Sequence, residues 1–143
     1  MAATITDISD AVVTHLNGVD FSQPFTAERI YVPVYGETET ALKVWVLGLT
    51  ESMSRRSRGE DEFDFEIKVA VYKRVESTDR EEVDDMVELV EEISDSLRTE
   101  GRLPTYTDAA LASVANAPIY DPVQLDKFNV FVSVVTATYK VMR

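Results

Sequence analysis

From Phe63 to Val75 the chain reads FDFEIKVAVYKRV, and this stretch decides the fold. Phe63, Phe65, Ile67, Val69 and Val71 share one face of an extended chain. Asp64, Glu66, Lys68, Ala70 and Tyr72 share the other, the period-two alternation of a half-buried strand. At about 3.3 Å per residue the stretch would span roughly 40 Å, where an ordinary strand has about 5 to 6 residues. So long a strand outruns the core of a small domain. Upstream, Ala41 to Leu49 contains Val44, Trp45, Val46 and Leu47, apolar on both faces, and reads as a strand lying mid-sheet or against a neighbouring subunit. Between the two strands stand Arg55, Arg56 and Arg58, beside Glu60, Asp61 and Glu62. The pair is therefore a long hairpin with a charged tip, an arm or shelf offered to a partner.

Working outward, Ile5, Ile8, Val12 and Leu16 recur at helical spacing from Thr4 to Leu16. They predict a short amphipathic helix with Thr6 or Asp7 as cap, ending near Asn17-Gly18. Val19 to Glu28 reads as a loop. Arg29 to Tyr35 is strand-like, but Pro33 lacks the N–H a central strand donates, which predicts an edge strand or a bulge before a turn at Gly36 to Thr40. A second helix is expected from Asp79 to Glu100. Thr78 with Glu81 fits a capping box, acidic residues crowd the first turns, and Arg98 sits in the last. Val83, Met86, Val87, Val90, Ile93 and Leu97 form its apolar stripe, and Gly101 and Pro104 stop it.

Leu103 to Asp126 is ambiguous, with Ala109 to Ala115 readable as a short helix after Asp108 or an irregular strand before Pro118 and Pro122; helix is the slightly preferred reading. Lys127 to Met142 is rich in β-branched and aromatic residues on both parities and predicts a central or intersubunit strand. The order helix, three strands, helix, long connection, strand gives one α+β domain over residues 1–143. Its sheet is mainly antiparallel, with a long protruding β-hairpin and helices packed on one face.

Composition limits the function classes. The 45% hydrophobic and 28% charged content is that of a globular domain, and no apolar run approaches the roughly 18 residues of a membrane span. No secretory signal is expected at the start. The absence of cysteine excludes disulfides and thiolate metal sites and is compatible with cytosolic synthesis. A net charge of −12 opposes binding to nucleic acid through its phosphates. Such acidity serves solubility, and it also suits a protein that DNA passes without sticking.

No set of catalytic groups is recognisable, and the chain does not read as an enzyme. The single histidine, His15, lies at the border of a packed helical face, and the five glycines form neither a P-loop nor a dinucleotide fingerprint. Asp84, Glu88 and Glu92 repeat at i, i+4 with Glu81 and Asp85 close by, a pattern that could hold Mg²⁺ or Ca²⁺. The solvated acidic face is the better reading, and no cofactor or metal is expected. Its like charges cost a few tenths of a kcal/mol per pair, which suits a face lining an aqueous channel or meeting a basic partner. Arg55, Arg56 and Arg58 form either a solvated turn or a docking element. In the second case they meet an acidic neighbour bidentately, such as the same helix on another copy. The candidate interface residues are thus Arg55, Arg56, Arg58, Glu60, Asp61, Asp84, Glu88 and Glu92.

Several stretches together resemble the tail-terminator and tail-completion proteins of the neck of long-tailed bacteriophages. They are Arg29-Ile30-Tyr31-Val32-Pro33, the arginine loop leading into Phe65 to Val71, and the acidic helix Val83 to Leu97. Pro118-Ile119-Tyr120-Asp121 and the closing Phe128 to Arg143, with Val135-Thr136-Ala137-Thr138-Tyr139, complete the set. The resemblance implies a ring, commonly a hexamer, that caps the tail tube and halts its growth. Its partners would be other copies of itself, the tail tube protein and the head connector or stopper, with genomic DNA passing through unbound and no membrane involved. It further implies assembly in the host cytoplasm and residence in the virion neck. The Ala-rich stretch from Thr107 to Ala117 matches no feature of that family. A different class is a monomeric acidic inhibitor that mimics nucleic acid, and a third is a small metal-dependent enzyme using Asp84, Asp85 and Glu88.

Overall fold

A computed structural model describes residues 3–31, 42–75, 80–116, 119–123, 125 and 129–143. The elements are α1 (Thr4–Asn17), β1 (Ala27–Arg29), β2 (Lys43–Arg55), β3 (Asp61–Arg74), α2 (Arg80–Glu100), β4 (Arg102–Leu103), β5 (Tyr106–Ala115) and β6 (Val130–Met142). The strands form one curled sheet in the order β1-β2-β3-β6-β5-β4, antiparallel except for the β1–β2 pair. Both helices cover the same face, so the fold is α+β.

The alternation in β3 determines what lies beneath the helices. Phe65, Ile67, Val69 and Val71 join Val44 and Val46 of β2 and Phe131, Val135, Ala137, Tyr139 and Val141 of β6 in one core. α1 adds Ile8, Ala11, Val12 and Leu16, and α2 adds Met86, Leu89, Val90, Ile93 and Leu97. Each fully buried Val, Leu, Ile, Met or Phe among them contributes about 1.5–3 kcal/mol. α1 lies over β1 and β2, and α2 over β5 and β6. The two helices are joined by His15, whose Nε2 is 2.8 Å from the Ser96 hydroxyl, the border position its spacing suggests. On the opposite face Trp45, Leu47, Ala70, Tyr72 and Val130 form a smaller buried cluster, with Trp45 stacked on Tyr72. The two-sided apolar character of the first hairpin strand thus reflects a place mid-sheet.

Four expectations need correction. Residues 106–115 form a strand, not a helix. β6 offers them a ladder, and Ala109, Leu111 and Val114 turn toward the core on either side of a bulge at Ala112, outweighing the helix propensity of alanine. Two strands therefore occupy the expected long connection. α1 starts at an Ala3 N-cap with no side-chain cap bond, so neither Thr6 nor Asp7 caps it. The expected Arg29–Tyr35 strand starts earlier, with β1 at Ala27–Arg29 on the edge; Pro33, the Gly36–Thr40 turn and the Thr78 cap lie outside the described residues.

Candidate interaction surface

β2 and β3 pair from Lys43 with Tyr72 to Arg55 with Asp61, and every residue from Leu49 to Glu60 is exposed. The turn closes through the Arg56 and Ser57 N–H groups, which donate to the Glu60 carbonyl at 3.3 and 3.1 Å. β6 accompanies β3 to its end, where Asp61 and Arg143 exchange N–H···O bonds of 2.8 and 2.9 Å. Among the described residues only the turn therefore projects past the sheet at this end. The free edge belongs to β2: β1 covers Val44 to Val46, the Ile30 N–H donates to the Val46 carbonyl at 3.0 Å, and beyond that no strand pairs with this edge among the described residues.

The tip arginines differ in their commitments. Arg55 Nε lies 3.4 Å from Asp61 Oδ1 across the turn. Arg56 donates from Nε to Glu62 Oε2 at 2.8 Å, with a second guanidinium nitrogen at 2.6 Å. Arg58 is exposed and has no ion pair among the described residues. Glu60 contributes its carbonyl to the turn, and its side chain is exposed.

Glu62 is only 7% exposed because the other sheet face folds cations over it. Lys140 of β6 donates to its Oε1 at 2.8 Å and approaches Asp64 at 3.5 Å, while Ser54 of β2 donates to Oε2 at 3.4 Å. The hydrogen bonds from Lys140 and then Arg56 hold the Glu62 carboxyl below its ordinary range against an opposing effect of burial, and Glu62 in turn raises Lys140. This clamp locks the base of the tip across three strands. The sequence reading leaves Glu62 in the charged tip; β3 instead begins at Asp61, and because Lys140 is 78 residues away only the β3–β6 register brings it there.

On α2, Asp84 and Glu88 are exposed, together with Asp85 and Glu91. Glu92 is half-buried and accepts hydrogen bonds from the Ser22 hydroxyl at 2.6 Å and its N–H at 3.3 Å, so it ties down the loop after α1. No ion pair among the described residues links the tip arginines to Asp84, Glu88 or Glu92 within one chain. Among the described residues no cluster of three or more His, Asp or Glu could hold a metal, and no helix is long and apolar enough to cross a membrane.

The arrangement can present a hydrogen-bonding strand edge, the Arg58 guanidinium, which has no ion pair among the described residues, and a separate acidic face. Compared with models of known families the chain matches none, and no curated protein gives a significant match.

Proposed function

We propose that this protein is a structural assembly protein of a tailed-phage neck, a tail terminator that closes with copies of itself into a ring, caps the tail tube and receives the head connector. The reading is carried by the exposed distal half of the hairpin, whose β2 edge is unpaired among the described residues and whose tip keeps Arg58 uncommitted. A ring built head to tail needs two different complementary patches on each copy. Joining strand edges satisfies backbone groups that otherwise invite aggregation. The uncompensated charge of −12 keeps DNA from adhering to the passage.

Electron microscopy and native mass spectrometry of the purified protein, alone and mixed with tail tubes, test the proposal. A closed ring of copies on the tube end is expected; a protein that stays monomeric and leaves tubes unbound removes the reading. Arg58→Glu is the informative tip variant, since reversing Arg55 or Arg56 would also break pairs inside the hairpin. It is expected to lower the yield of infectious particles at least tenfold while leaving the fold intact by circular dichroism. The acidic outer face of α2 favours a second reading, a monomeric inhibitor of a basic partner. Tight binding to a basic protein that collapses with salt would select it.

A further inference from the structure

We propose that copies of this chain join by pairing the free edge of β5 with the free edge of β2 of the next copy, at a level fixed by β1 and β4. The proposal rests on the ring reading and names the surface that builds it.

The two outer strands of the sheet are very short, and each covers only part of its neighbour. β4 pairs with β5 at Tyr106 and Ala110, and the Leu111 N–H donates to the Gly101 carbonyl at 2.8 Å. Past Leu111 the outer edge of β5 has no partner among the described residues. From Ala109 to Asn116 it carries no charge and no proline. Edge strands are ordinarily protected by those residues, and an edge without them is suited to receive another strand. The small side chains of Ala112, Ser113 and Ala115 are exposed along it.

Ladder registers carry the level of this window across the sheet. Ser113 faces Thr138, which faces Glu66, which faces Thr50. Ala115 likewise leads through Thr136 and Lys68 to Leu47. The open part of β5 therefore lies level with the stretch of β2 immediately past the end of β1. In a ring of equivalent copies, β4 would stop the incoming strand on one side of the window and β1 on the other.

Direction agrees as well. β2 is antiparallel to β3, β3 to β6 and β6 to β5, so β2 and β5 run oppositely. A copy rotated about an axis along the strands presents β2 antiparallel to β5 with the helices on the same face. Each junction then extends one continuous sheet, and two unlike edges give a head-to-tail contact.

The cysteine-free sequence permits a direct test by Thr50→Cys and Ser113→Cys in one chain. Within a copy these positions are separated by β3 and β6, about three strand spacings or roughly 14 Å, too far for a disulfide. Between copies they would be directly opposite, about 5 Å apart at Cβ. Mild oxidation of the assembled double variant is expected to shift most of the protein on a non-reducing gel from 16.1 kDa to a ladder of its multiples. Each single variant should remain at the monomer position. If the wild type forms rings but the double variant gives no ladder, this pairing is wrong and the ring reading survives. Disulfide dimers of a single variant would overturn it in favour of a symmetric contact. Absence of both rings and cross-links would overturn both proposals.

Discussion

Gly48 of β2 sits directly beneath Ile5 and Ser9 of α1. A Cβ there would lie 2.6 Å from the Ser9 hydroxyl and 2.7 Å from Ile5 Cγ1, and Ser9 is itself held by a 2.7 Å bond to the Ile5 carbonyl. Gly48→Ala is expected to push α1 off the sheet and cost about 1–3 kcal/mol in urea unfolding. Glu62 tests the clamp beneath the tip. Its carboxyl is held below its ordinary value when folded, so its contribution is present above the unfolded pKa and is lost as pH falls through the lower folded one. Glu62→Gln should therefore reduce the melting temperature at pH 7, and the gap to wild type should close on acidification below about pH 4. A gap unchanged between pH 7 and pH 3 would remove the charge from the account.

At the scale of elements, α2 and β3 are long enough for their periods to be read directly, and both emerge with the expected faces buried. Leu89 completes the α2 stripe between Met86 and Ile93, which the sequence stripe omitted. β5 was not legible. Alanine favours a helix locally, and its strand state depends on β6, whose neighbour across the sheet no local pattern reveals. The candidate site was legible in the same uneven way. The tip and the acidic row were visible as charge runs, but the inward commitment of Arg56 and Glu92 depends on Glu62 and Ser22, whose positions the chain fixes only when folded. The end of α2 offers a further test. Gly101 adopts φ +66° with its N–H bonded to the Leu97 carbonyl at 3.2 Å. No atom within 4 Å would obstruct a Cβ, so Gly101→Ala should cost only the left-handed backbone strain, about 1–2 kcal/mol by thermal unfolding.

For the whole molecule, charge and edge act in opposite directions. Copies bearing −12 each repel at long range, whereas ladder hydrogen bonds between edges act only at contact. Raising the ionic strength from about 10 to 150 mM shortens the screening length from roughly 30 to 8 Å. Self-association read by sedimentation velocity should therefore strengthen over that range. An inhibitor holding a basic partner would show the opposite trend.

The exchange of bonds between Asp61 and Arg143 has a consequence for biosynthesis. β3 has β2 as its early neighbour, but its other side stays bare until residues 130–143 leave the ribosome and zip along it. The arm thus gains its stiffness only after translation has passed this segment, and until then the bare side of β3 is an unpaired edge open to capture by another nascent chain.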